Sequence, residues 1–410
     1  MKKFFALLLS LAMVLALVAC GQKDPTPDTP DTPDDPQPKV EYKVAMITDY
    51  GDITDQSFNQ TTYEACKAFA EDNSIEFSYF KPAGDNTADR VAMIEKAVND
   101  GFNVIVMPGY AFGGAIVEAA PEFPDVKFIA LDVAAGDLLE TAVAKAGESY
   151  DYTPENWDLN KYVDMSNVYC AVYQEELCGY MAGYAAVKLG YKNLGFLGGM
   201  SVPAVVRYGY GFVQGVDAAA ADLGLTDVKL NYIYGGQFFG DADITAVMDT
   251  WYQGGTEVVF ACGGGIYTSA VDAAKKVNAK VIGVDVDQAG VIAKYAGVDG
   301  MTVTSAMKGL YPATYDTLTD VIVNGNWDKY VGKIATLGLV SGTDPEANYV
   351  QIPMGDGTQW SDSFTQDDYK AMVKDMFDGK ITVSNNTSSD VTAASFATVI
   401  TVDDQGSIKG

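Results

Sequence analysis

The sequence predicts an α/β protein built as a two-lobed clamshell, with a parallel sheet in each lobe. Three observations predict it. From residue 40 onward, short β-rich runs alternate with amphipathic helical stretches. The strand runs are nearly continuous in apolar residues, as parallel strands are when helices cover both faces. The length, 410 residues, suits two such units at about 100–200 residues per domain.

In the first unit, strands are predicted over 44–48, 75–79, 104–107 and 126–131, with helices over 57–71, 88–99 and 113–120 between them. Asp55 or Ser57 supplies the cap of the first helix. Asp49, Gly109 and Asp132 fall just beyond strand ends, at the edge where open α/β sheets bind ligands. After a long helix over 175–188, the second unit has strands over 194–197, 229–234, 258–261, 280–284 and 301–305. Its helices are expected over 205–222, 242–252 and 267–277. Gly263-Gly264-Gly265 and Asp285 again follow strand ends.

Chain crossings between lobes are expected near 170–190, 306–310 and 335–350. Residues 41–175, with about 310–335 and the C-terminal segment, are assigned to the first lobe and 176–308 to the second. The polar, Tyr-rich stretch over 135–165 reads as an insertion, and 383–410 as a Ser/Thr-rich tail with no assigned role.

The chain opens Met1-Lys2-Lys3 and then runs apolar over 4–19, the pattern of a secretory signal. That run is shorter than the ~20 residues of a spanning helix. Leu17-Val18-Ala19-Cys20 resembles a bacterial lipobox, which implies cleavage after residue 19 and a lipid on Cys20. Residues 20–40 are rich in Pro, Asp and Thr, and such a run favours an extended polyproline II stalk.

Charge narrows the function. Lys and Arg number 27 against 55 Asp and Glu, for a net charge of −28. Such acidity argues against nucleic-acid binding. It also repels anionic lipid headgroups, so membrane attachment rests on the lipid alone. The absence of histidine excludes a Ser-His-Asp triad, a Cys-His dyad and imidazole metal ligands. Cys66, Cys170, Cys178 and Cys262 form no C-x-x-C pair and read as buried free thiols. The glycine triplet lacks a following G-K-[ST], so it is not a Walker loop. No cofactor and no metal are expected.

The densest functional segment is T-D-Y-G-D-I-T-D-Q-S-F-N-Q over 48–60. It turns Asp49, Ser57, Phe58 and Asn59 toward one crevice, although a capped turn with Phe58 in the core fits the same spacing. This run resembles the opening signature of the basic-membrane-protein family, lipoproteins related to purine-nucleoside-binding components of ABC importers. E-E-L-C-G-Y-M-A-G-Y-A-A from Glu175, G-F-V-Q-G-V from Gly211, the strand and glycines over 258–265, I-G-V-D-V-D-Q from Ile282 and S-A-M-K ending at Lys308 extend the resemblance over roughly 42–382.

The resemblance implies a type I periplasmic-binding-protein fold of two Rossmann-like lobes joined by a hinge, holding a purine nucleoside and catalysing no reaction. Carried over residue by residue, it implies base stacking by Phe58 and by Phe239, with Phe238 as the uncertain neighbour. Asp49 would accept from base or ribose, Asp285 and Lys308 would contact the ribose, and Gly264 would bring backbone close. Asn59, Asp132 and Tyr110 join these candidates by position at strand ends. Blander readings exist: Asp285 as a solvated strand end, Lys308 on a surface helix, Phe238-Phe239 in a core. Arg207-Tyr208 could also line the crevice, though Tyr208 fits helix packing better.

The expected function is a lipid-anchored, monomeric binding protein on the extracytoplasmic face of the cell membrane. It would deliver guanosine, inosine or adenosine to an ABC permease and its ATPase. A ribose-like sugar on the same fold, or a nucleoside sensor or adhesin without transport, remain alternatives. An enzyme such as a nucleoside hydrolase lacks an activated nucleophile in this sequence.

Overall fold

Lys43–Ile47 (β1) reads K-V-A-M-I, and its last four residues are buried. A strand so apolar on both sides needs a layer of helices on each face. The computed structural model describes residues 41–409 and supplies those layers; the signal segment, Cys20 and the stalk lie outside the described residues.

The first lobe continues through α1 (Phe58–Asn73), β2 (Glu76–Phe80), α2 (Thr87–Asn99), β3 (Val104–Pro108), α3 (Phe112–Ala119), β4 (Lys127–Leu131), α4 (Ala135–Lys145), α5 (Leu159–Tyr162) and β5 (Val168–Tyr173). Helix α6 (Glu175–Lys188) then carries the chain into the second lobe. There follow β6 (Asn193–Gly198), α7 (Pro203–Leu223), β7 (Lys229–Tyr234), α8 (Ala242–Gln253), β8 (Val258–Cys262), α9 (Tyr267–Val277), β9 (Lys280–Asp285), α10 (Ala289–Ala296) and β10 (Thr302–Lys308). The chain returns through α11 (Leu310–Leu318) and β11 (Lys333–Leu337), then crosses again to β12 (Val350–Gln351), α12 (Gln366–Phe377) and β13 (Thr401–Ser407).

The first sheet has the order β11-β5-β4-β3-β1-β2 and the second β12-β10-β9-β8-β6-β7-β13. Their pairings are parallel except for β12, which runs antiparallel to β10. The central strands β1, β3 and β4 of one sheet correspond in order to β6, β8 and β9 of the other, so equivalent strand ends face the same region.

Two sequence expectations are corrected. The C-terminal segment does not join the first lobe: β12 pairs with β10 and β13 with β7, both in the second sheet. The edge of β7 would otherwise expose unpaired backbone, and β13 covers it. Residues 135–165 are not wholly an insertion either. Helix α4 buries Leu138, Leu139, Ala142 and Val143 and is the ordinary crossover from β4 to β5; the irregular addition starts after it.

Helices α6 and α7 lie backbone to backbone. A Cβ on Gly179 would stand 2.3 Å from Tyr208 O, and one on Gly183 2.4 Å from Phe212 O. Reciprocally, a Cβ on Gly211 or Gly215 would stand 2.1 Å from Glu176 O or Tyr180 O. Spacing of four residues puts each glycine pair on one helix face. Extending each face by one turn reaches Glu175 on α6 and Arg207 on α7. The four cysteines named above are free and buried.

Candidate functional site

A cavity of about 440 Å³ opens at the C-terminal ends of the strands of both sheets. That lies within the ~300–1,000 Å³ typical of small-molecule sites. All ten residues singled out for binding line it: Asp49, Phe58, Asn59, Tyr110, Asp132, Phe238, Phe239, Gly264, Asp285 and Lys308.

The segment after β1 is locally determined. Asp55, not Ser57, caps α1, accepting from the backbone N–H of Ser57 at 2.9 Å, Asn59 at 2.9 Å and Gln60 at 3.1 Å. That frees the Ser57 hydroxyl, which donates instead to Asp285 Oδ2 of the second lobe at 2.5 Å. Asp49 accepts from the backbone N–H of Tyr50 at 2.6 Å and of Gly51 at 2.7 Å. Burial raises its carboxyl above the usual range, against the pull of those bonds and of Arg90. Asn59 is buried, and its Oδ1 has no hydrogen-bond partner.

Asp132 and Asp285 both adopt left-handed backbone, with φ of 58° and 65°. Aspartate tolerates that region better than most residues, and such conformations collect at functional sites. The two occupy equivalent positions, at the ends of β4 and β9. Lys308, ending β10, joins them: its Nζ is 2.5 Å from Asp132 Oδ2, 3.5 Å from Glu175 Oε1 and 3.8 Å from Asp285 Oδ1. Burial opposes the ammonium charge, but the three carboxylates outweigh it and hold its pKa above the usual value. Burial likewise raises Asp285, offset by Lys308 and by bonds from Ser57 and Tyr208. Asp132 Oδ1 is buried without a partner, an acceptor left open.

Aromatic side chains line the same cavity. Lys308 Nζ lies 4.6 Å from the centre of the Phe58 ring, a cation–π distance. Phe238 lies against two glycines: a Cβ on Gly199 would meet its ring at 2.3 Å, and one on Gly263 at 2.7 Å. Phe239 is 58% exposed. Gly264 has φ of 48° and would crowd Phe238 O at 2.9 Å if it carried a Cβ. The Tyr50 hydroxyl donates to Met200 Sδ at 3.2 Å and that of Tyr110 at 3.9 Å, joining the lobes.

Arg207 and Tyr208, the further crevice candidates, do line the cavity. The lining residue Asp137, and Glu175, which pairs with Arg207, escaped the sequence reading. Arg207 Nε donates to Glu175 Oε2 at 2.6 Å, the pair placed by the glycine faces of α6 and α7. The matching patterns E-x-x-x-G-x-x-x-G and R-x-x-x-G-x-x-x-G were the available signal. Tyr208 is buried helix packing and also donates to Asp285 at 3.3 Å. Asp137 lines the cavity and accepts from Ala134 N–H at 2.7 Å; burial pushes its carboxyl up to about 7.

Residues 42–344 match the sequence model of the Bmp family, ABC transporter substrate-binding proteins described as PnrA-like. The chain belongs to this family. A Bmp-family relative from Lactococcus lactis, named ABC transporter nucleoside-binding protein BmpA, is 25% identical over 92% of this chain and 96% of its own. Basic membrane protein B of Borreliella burgdorferi is 26% identical over 76% of this chain and 83% of its own. Among solved structures, a solute-binding protein of an ABC transporter system from Aeropyrum pernix superposes with a TM-score of 0.63 at 19% identity. It covers 85% of this chain and 95% of its own. The fold of this Bmp-family chain is accordingly the type I periplasmic-binding-protein fold. Its function is that of an ABC transporter substrate-binding protein.

Proposed function

We propose that this Bmp-family protein captures purine nucleosides in the cleft and delivers them to an ABC permease powered by its ATPase. The observation that carries the reading is the meeting of aromatic faces (Phe58, Phe238, Phe239) with the Asp132–Lys308–Asp285 cluster in one cavity. A nucleoside is a flat π-surface joined to a polyol. Stacking of the base on Phe58 and Phe239 supplies ~1–3 kcal/mol. Asp285 and the open Asp132 Oδ1 accept from ribose hydroxyls in charge-assisted bonds, and Lys308 donates. Asp49 and Asn59 Oδ1 accept from N–H groups of the base, and Gly264 lets backbone approach. Ligand touching both lobes favours their closed arrangement by its differential affinity for it.

The charge of the lining favours a nucleoside over a nucleotide. Asp49, Asp52, Asp55, Asp132, Asp137 and Asp285 face Lys81, Arg207 and Lys308, and each of those three cations is paired with a carboxylate. The name of the Lactococcus lactis relative supports the same ligand class. Calorimetric titration of the compact unit Tyr42–Gly410 with guanosine, inosine, adenosine, uridine and ribose tests this. Purine nucleosides are expected to bind. Binding of ribose without any nucleoside would replace the reading with a sugar-binding one.

The proposal includes anchoring. Lipid on Cys20, with the stalk over 20–40 as spacer, holds a monomer on the extracytoplasmic face. Radiolabelled palmitate should enter the wild-type chain and not a Cys20→Ser variant, which should be released from the membrane.

A further inference from the structure

The tail beyond residue 383 lies outside the residues matched by the family, 42–344, and the proposed function gives it no part. In the structure it is tied to the second lobe. Asp217 of α7 accepts from Thr398 N–H at 2.7 Å and from Val399 N–H at 2.8 Å. Strand β13 then runs along β7, and Ile408 N–H donates to Tyr234 O at 2.8 Å. This path ends at the loop that carries the aromatic pair. A Cβ on Gly236 would stand 2.7 Å from Lys409 O, so the tail lies directly on that loop.

We propose that Lys409 is a positioning residue of the cleft: through Gln237 and Asp241 it fixes the backbone that presents Phe238 and Phe239. Lys409 Nζ donates to Gln237 Oε1 at 2.9 Å and also bonds Asp241 Oδ2. With its amide oxygen taken by an ammonium, Gln237 has its Nε2 directed at Phe239 O, 2.9 Å away, and at Asp241 Oδ2, 3.0 Å away. An amide has one acceptor end and one donor end, so a cation at the oxygen selects this orientation over its flip. Asp241 keeps its other oxygen for Ile244 N–H, 3.0 Å, capping α8. The brace thus ties the aromatic loop to a helix start on one side and a sheet edge on the other. Phe238 is also held by Gly265 N–H on its carbonyl at 2.8 Å. Phe239 is bridged to the same Gly265, and the brace adds the bond to its carbonyl.

The consequence for affinity rests on the nucleoside reading; the consequence for the loop does not. The test compares the full chain with Lys409→Met and Lys409→Arg, by amide hydrogen exchange without ligand and by inosine titration. Exchange over 236–241 is expected to quicken at least fivefold in Lys409→Met, with the rest of the second lobe unchanged, and to recover in Lys409→Arg. Inosine affinity is expected to fall about threefold to tenfold and to recover likewise. Unchanged exchange over 236–241 overturns the proposal. So does faster exchange across the whole second sheet, which marks a general structural contact, or faster loop exchange with unaltered affinity. If the wild type binds no purine nucleoside, the nucleoside reading fails, and the exchange comparison alone upholds or overturns the brace.

Discussion

Lys308 Nζ, at the end of a second-lobe strand, stands 2.5 Å from Asp132 Oδ2, at the end of a first-lobe strand. Glu175 and Asp285 complete a buried group around the same ammonium. Removing one partner of a buried ionic group leaves the others uncompensated, at a cost of about 3–5 kcal/mol. Lys308→Met is therefore expected to lower unfolding free energy by that amount at pH 8, measured by urea denaturation. Burial already raises the carboxyls of Glu175 and Asp285, and Lys308 opposes that rise. Without the ammonium these two bind protons more readily, so the loss should be smaller at pH 5.

Ser57 donates across the cleft to Asp285, and Gln288 Nε2 donates to Gln56 O at 3.1 Å beside it. Hydrogen bonds to charged groups contribute about 1.5–3 kcal/mol. Ser57→Ala should shift the ligand-free protein toward a more open arrangement. Small-angle scattering should then show a larger radius of gyration than wild type, and an unchanged radius would assign the bond no part in closure.

Gly211 meets α6 with no room for a methyl group. At an unconstrained helical site, Gly→Ala would stabilise by about 1 kcal/mol. Here overpacking is expected to dominate, and Gly211→Ala should destabilise by about 1–3 kcal/mol. The variant should also weaken ligand binding, because the Glu175–Arg207 pair is set by the same approach. Thermal melting and calorimetry check the two effects.

Asp137 gives a pH dependence of definite sign. Its carboxyl titrates near 7 in the folded chain against 3.8 for the free group. Between those values the folded chain holds a proton that the unfolded chain has released, so stability falls as pH rises through that window. Asp137→Asn keeps an acceptor for Ala134 N–H and removes the titration. The variant should match wild type near pH 4 and exceed it by ~1–2 kcal/mol at pH 8, discounted because the side chain is only part-buried. Urea unfolding at the two pH values checks this.

The alternation of apolar strands and amphipathic helices was legible because buried parallel strands admit few polar residues. Strand ends were legible for the same reason, which is why Asp49, Asp132 and Asp285 could be placed on one edge. Strand β13, T-V-D-D-Q-G-S, was not: an exposed edge strand needs no apolar pattern, so its lobe could not be read. Residues 135–165 misled because polar, Tyr-rich sequence after 146 hid the apolar face of α4. Glu175, and the pairing that Arg207 makes with it, were missed for a different reason. Their pairing is made by two helices approaching through glycines, and charge on each helix reads alone as solvated surface. Whether Lys308 ended a strand or began a surface helix also required tertiary pairing with β9.

The most direct test compares purine-nucleoside affinity of the wild type with Phe58→Ala and Asp285→Ala by calorimetry. If the base stacks on Phe58 and the ribose bonds Asp285, each substitution should weaken binding at least tenfold, in line with ~1–3 kcal/mol per stacked base. Affinity unchanged in both variants would place the ligand outside this cleft and contradict the account.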